Sequence, residues 1–214
     1  MDTTLNGPSR PPLSCGKPKY LVVLLHGAGS NGDEIIDLSL DWAPTLNKAE
    51  FLAPNAPWRV DIAGNGRQWA GPPPGDGVEE AVERLQAFLD DVLAERRLKD
   101  SQLALVGFAQ GAAVAVRAGL ARSQPVAAIV AAGRGIEEYP GAGGDLRSTP
   151  PVLLVEADIG PGAAGLAEAE RQLRDCKIQV KKLVHPGDYY GLDDEGVGMV
   201  ADYLHQALVT PGPD

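Results

Sequence analysis

Cysteine, histidine and positive charge are all scarce in this 214-residue chain, and each shortage removes a class of function. The two cysteines, Cys15 in a Pro/Gly/Ser-rich stretch and Cys176 between a helix-like and a strand-like segment, have no metal or redox spacing and read as free thiols. Three histidines leave no metal cluster to build, so neither metal nor other cofactor is expected. Nineteen basic residues against twenty-nine acidic ones give a net charge of −10, the wrong sign for a protein that lives on nucleic acid or anionic lipid. Apolar runs such as Leu21-Val22-Val23-Leu24-Leu25 are too short to span a bilayer. The N-terminal residues show no basic segment leading into an apolar one, so no secretory signal is read and a cytoplasmic location is expected.

What is present is a globular composition, 44% hydrophobic and 22% charged, of a size for one domain. Residues 1–19, with Gly7-Pro8-Ser9-Arg10-Pro11-Pro12 and Gly16-Lys17-Pro18, break helix and strand and predict a flexible lead-in, either a tail or a loose cover strand. From 20 to 214, short aliphatic runs alternate with segments of helical period, the pattern of an α/β domain with a mostly parallel sheet. Strands are expected at Tyr20 to Leu25, Glu50 to Ala53, Leu103 to Val106, Val126 to Ala131, Val152 to Val155 and Ile178 to Val184. Val78 to Leu98 sets Ala81, Leu85, Leu89 and Val92 on one stripe and Glu79, Glu83 and Asp90 opposite, which predicts an amphipathic helix lying on that sheet. Shorter helices are expected at Gln110 to Ala121, Ala163 to Arg174 and Asp193 to Leu208, the last capped by Asp193 or Asp194. Asp61 to Gly77 and Gly133 to Pro151, rich in Gly and Pro, read as surface loops.

The chemistry should lie at two turns. Leu103-Ala104-Leu105-Val106-Gly107-Phe108-Ala109-Gln110-Gly111 reads as a buried strand, a tight turn between two glycines, then a helix. That is the geometry of a nucleophile elbow, whose central residue projects from the C-terminal edge of the sheet. Here the central residue is Ala109. A second strand ends in His26-Gly27-Ala28-Gly29-Ser30, a turn whose N–H groups point at a developing acyl oxyanion. By position the two donors are the N–H groups of Ala28 and Gln110.

Taken together, Leu24-Leu25-His26-Gly27-Ala28-Gly29-Ser30-Asn31-Gly32, Ala53-Pro54-Asn55-Ala56-Pro57, Gly66-Arg67-Gln68-Trp69, Leu105-Val106-Gly107-Phe108 with Gln110-Gly111, and Pro186-Gly187 resemble the carboxylesterase, phospholipase and acyl-protein thioesterase group of α/β-hydrolases. The resemblance runs from Tyr20 to Leu208 and implies the α/β-hydrolase fold. It also implies a Ser-Asp-His triad, and here the sequence departs from the family. The three positions fall on Ala109, Gly160 and Tyr190. Alanine has no nucleophile, glycine cannot orient an imidazole, and a tyrosine of ordinary pKa, ~10, is a poor base at neutral pH. Loss of nucleophile or base alone costs on the order of a million-fold in kcat.

Substitutes are poorly placed. Asp158 precedes the acid position by two residues, His185 falls at a strand end and His205 inside the last helix. Ser30 is the nearest alternative hydroxyl, with no base in the sequence to activate it. His26 reads as a loop-holding residue that hydrogen bonds within its turn. Arg67 and Trp69 face the ligand on one reading; on the other, Trp69 caps the core and Arg67 pairs with a surface acid. Glu156 and Asp158 share the sheet edge as binding groups or exposed acids. Among Asp188, Tyr189, Tyr190, Asp193, Asp194 and Glu195, Tyr190 is the residue expected to project over the pocket. The expected ligand pocket is therefore Ala28, Gly29, Ser30, Arg67, Trp69, Ala109, Gln110, Glu156, Asp158 and Tyr190.

A catalytically degenerate member that binds a small acyl or aromatic molecule, or a protein partner, is the expectation. Two alternatives stand beside it. One is a lyase, isomerase or cyclase that reuses the oxyanion donors with Tyr190 and nearby acids. The other is an esterase whose serine has been replaced, which explains Ala109 but not Gly160 or Tyr190.

Overall fold

The structure is a computed structural model that describes residues 5–60, 64–71, 78–133, 146–157, 163–185 and 192–210. Seven strands form one sheet in the order β1-β3-β2-β6-β7-β8-β9: β1 (Ser9–Arg10), β3 (Ala49–Leu52), β2 (Tyr20–Leu25), β6 (Leu103–Phe108), β7 (Ala128–Ala132), β8 (Val152–Ala157) and β9 (Val180–His185). All neighbours pair in parallel except β1 with β3. This is the α/β-hydrolase architecture expected from the sequence. Strands flanked on both sides are covered on both faces, which is why β6 reads as an unbroken apolar run and is buried at every position.

Alternate residues feed two cores. Leu21, Val23, Leu25, Leu103, Leu105, Ile129 and Leu154 pack under α3 (Glu79–Arg96), α4 (Gln110–Leu120) and α5 (Ala163–Asp175). Val22, Leu24, Ala104, Val106, Val130 and Val155 pack under α2 (Leu38–Trp42) and α6 (Asp194–Leu208). The stripe expected on the long helix is the buried one, with Ala81, Leu85, Leu89, Val92 and Leu93 against the sheet. α4 is apolar nearly all round and runs through the first core, as a helix with no solvent face must. Asp193 is the residue that caps α6; its Oδ1 accepts from the Gly196 N–H at 2.9 Å.

Elsewhere the expectation is refined or corrected. Residues 5–19 are the cover strand rather than a tail: β1 pairs with β3, Leu5 is buried, and the Ser14 and Lys19 N–H groups donate to Asn47 and Lys48. The expected loop from Asp61 to Gly77 contains a short strand, β5 (Arg67–Gln68), paired antiparallel with β4 (Trp58–Arg59). Two small helices, α1 (Gly32–Ile35) and α2, follow β2 without a periodic pattern long enough to announce them. No helix among the described residues is long and apolar enough to cross a membrane.

Candidate functional site

The elbow forms as the glycines require. Ala109 sits at φ 47°, ψ −118°, a conformation that costs an L-residue about 1–3 kcal/mol. It is held there because its N–H donates to the Ala132 carbonyl at 2.8 Å and its carbonyl accepts from the Ala112 N–H at 2.9 Å. A Cβ on Gly107 would lie 2.2 Å from the Gly111 carbonyl oxygen, and one on Gly111 2.3 Å from that of Leu25, so both positions exclude a side chain. The turn is therefore built as sharply as one that carries a nucleophile, and it presents a half-buried methyl group.

The second turn lies beside it because β2 pairs with β6, Leu25 opposite Gly107. Gln110 opens α4, so its N–H has no carbonyl four residues back within the helix and lies at the positive end of the helix dipole. Ala28 and Gly29 are exposed, Gly29 at φ 84°, and the Ala28 N–H donates to no carbonyl of the described residues.

His26 is fully buried behind this turn. Its Nδ1–H donates to the Gly27 carbonyl at 2.7 Å and its Nε2 accepts from the Ala56 N–H at 3.1 Å, an arrangement only the neutral ring satisfies. Burial holds its pKa below the ordinary 6.5, with the Arg67 charge adding to the effect; the Gly27 bond and the Glu34 charge oppose it. The loop-holding reading is what the geometry supports.

A three-residue segment crosses both turns. The Gly29 N–H donates to the Arg67 carbonyl and the Arg67 N–H to the Ser30 carbonyl, each at 2.8 Å. The Trp69 N–H donates to the Gln110 side-chain oxygen at 2.5 Å, and the indole N–H to the His26 carbonyl at 2.8 Å. Trp69 is wholly buried, so its core reading holds and the ligand-facing one does not. Arg67 is half-buried, and no acid among the described residues pairs with it.

Two expected groups are occupied otherwise. Ser30 Oγ donates to Glu34 Oε2 at 2.6 Å, while Glu34 also accepts from Asn31 Nδ2 and returns its own N–H to Asn31 Oδ1. The carboxylate that Ser30 seemed to lack is thus the closing member of a helix cap, and the spacing Asn31-x-x-Glu34 carried that signal. Glu156 is neither exposed nor open to a ligand. It is buried, with Oε2 against Lys182 Nζ, and Oε1 has no partner. His205 lies half-buried in α6, and His185 ends β9. Asp158, Gly160, Asp188, Tyr189 and Tyr190 lie outside the described residues. Cys15, exposed, and Cys176, half-buried, are unpaired thiols. No group of three His, Cys, Asp or Glu among the described residues is arranged to hold a metal ion.

A family model described as Phospholipase/Carboxylesterase matches residues 14–136, more than half the chain. The chain belongs to this family. It is similar to a crystal structure of esterase PE8, with 33% identity, a TM-score of 0.82, and coverage of 96% of this chain and all of that one. The Bacillus cereus carboxylesterase has the same fold at 16% identity, TM-score 0.74 and 96% coverage of each chain. So does a phospholipase/carboxylesterase from Dyadobacter fermentans, at 21% identity, TM-score 0.66, and coverage of 93% of this chain and 96% of that one. The residue at the elbow of this chain is Ala109.

Proposed function

We propose that this chain is a catalytically degenerate member of the phospholipase/carboxylesterase family that binds small acyl compounds without hydrolysing them. The observation that carries the reading is Ala109, a methyl group in the strained elbow conformation where the reaction needs an oxygen nucleophile. Gly160 and Tyr190 at the acid and base positions point the same way. One substitution at the elbow would leave the other two partners intact; three changed positions fit a protein on which hydrolysis no longer acts as a constraint.

What remains is a receptor for an acyl oxygen. The N–H groups of Ala28 and Gln110 are the donors this reading assigns to it, and neither requires a nucleophile to hold a carbonyl or carboxylate oxygen. Gly29, Ser30 and Ala109 are assigned to the same site by their places in the two turns. Glu156, buried against Lys182, is left out of it.

Titration of the ¹⁵N-labelled protein with octanoate tests this directly. The Ala28 and Gln110 amide resonances should move in a saturable manner, and p-nitrophenyl butyrate should bind there with no release of nitrophenol beyond that in buffer. Conversion of either compound to a new product would instead establish an enzyme that uses the donors without a serine.

A further inference from the structure

The two N–H groups belong to segments that the sheet brings together but cannot hold at a fixed gap, because the β2–β6 ladder ends at Leu25 and Gly107. Direct contact sets the lower limit of that gap, since Gly111 already lies against the Leu25 and His26 carbonyls. Something else must stop the two turns from separating.

We infer that Arg67-Gln68-Trp69 is a strap that fixes the distance and relative aim of the Ala28 and Gln110 N–H groups, with Trp69 as the positioning residue. The inference rests on the acyl-binding reading for its purpose and on the hydrogen bonds for its geometry. Arg67 uses both of its backbone groups on the two residues that follow Ala28, its carbonyl accepting from the Gly29 N–H and its N–H donating to the Ser30 carbonyl. Trp69 then reaches both halves at once: its backbone N–H holds the Gln110 side chain, and its indole N–H holds the His26 carbonyl. The indole ring, 5.4 Å from the His26 ring and fully buried, cannot pivot without losing its packing. The strap is anchored in turn by the β4–β5 pairing and by the Arg84 guanidinium, 5.9 Å over the Trp58 ring on α3's side. Four hydrogen bonds made by two residues, Arg67 and Trp69, therefore bridge the two turns. A chain that no longer needs a nucleophile still needs this bridge if the donors are to meet one oxygen atom.

The test uses the full chain labelled with ¹⁵N, with residual dipolar couplings reporting the orientations of the Ala28 and Gln110 N–H vectors. Trp69→Phe keeps an aromatic ring, though a smaller one, and removes the indole donor; Gln110→Met removes the acceptor; Gln110→Glu keeps an acceptor oxygen. The strap predicts that Trp69→Phe and Gln110→Met rotate the two vectors relative to one another while couplings across β6 and β7 stay native, and that Gln110→Glu retains the native orientation. Octanoate affinity should fall about five- to tenfold in Trp69→Phe, the worth of one hydrogen bond. Native orientations in both Trp69→Phe and Gln110→Met would overturn the strap. Should Trp69→Phe fail to fold, Gln110→Met decides alone. Rotation of the vectors in a protein that never binds octanoate would leave the strap standing and refute the acyl-binding reading instead.

Discussion

Gly111 lies so close to Leu25 that a Cβ on it would stand 2.3 Å from the Leu25 carbonyl oxygen. The helix after the elbow and the strand before the N–H turn touch backbone to backbone, and only the absent side chain permits it. Gly111→Ala must push the two apart. It is expected to destabilise the fold by about 3 kcal/mol, the upper end of core overpacking, in urea unfolding. A stability equal to that of the native chain would show that the helix can slide away at no cost.

The elbow's strain gives the opposite sign. Ala109 holds φ 47°, and glycine adopts that region without a Cβ penalty. Ala109→Gly should therefore stabilise the protein by about 1 kcal/mol, the relieved strain less the extra entropy of the unfolded chain. Ala109→Val, β-branched at positive φ, should lower the Tm. If Ala109→Gly lowers it too, the conformation is not strained in solution.

Glu156 and Lys182 form a pair that is easier to break than to replace. The carboxylate is 4% exposed while Lys182 keeps about a third of its side chain in water, so the pair is only half desolvated. Lys182→Met alone should cost about 2 kcal/mol by stranding the buried charge, and Glu156→Leu with Lys182→Met should recover most of that loss. Additive single and double effects in a denaturation cycle would mean that the two residues are not coupled.

His26 makes the fold sensitive to acid. Its folded pKa lies below the ordinary 6.5, so the unfolded chain takes up a proton first as pH falls. The contribution to stability is complete above about 6.5 and is lost progressively below it, as the ring is forced to charge and Nε2 can no longer accept from Ala56. The Tm should drop between pH 7 and 5, and the drop should be shallower in His26→Gln. An unchanged slope in that variant would assign the acid sensitivity to other groups.

The central strands were legible because a strand buried on both faces must be apolar throughout, and the helices because each has one sheet-facing stripe. The elbow and the facing turn were legible from their glycines. The short elements were not: β1, β4 and β5 have two residues each and no period to detect. Trp69 illustrates a further limit, since composition allowed it to face either ligand or core, and only its two hydrogen-bonded partners, 41 and 43 residues away, decide. Glu156 read as a candidate binding group because its partner lies on the next strand, where the register that sets Glu156 opposite Val184 makes Lys182 its diagonal neighbour.

The proposed loss of hydrolysis is tested most directly by incubating the native chain and Ala109→Ser with p-nitrophenyl butyrate and a fluorophosphonate, following nitrophenol release and intact mass. The native chain should show no turnover above buffer and no added mass. With Tyr190 at the proposed base position, Ala109→Ser should gain little, because loss of the base alone costs on the order of a million-fold. Turnover by the native chain, or a covalent adduct on it, would reveal a working nucleophile and contradict the degenerate reading.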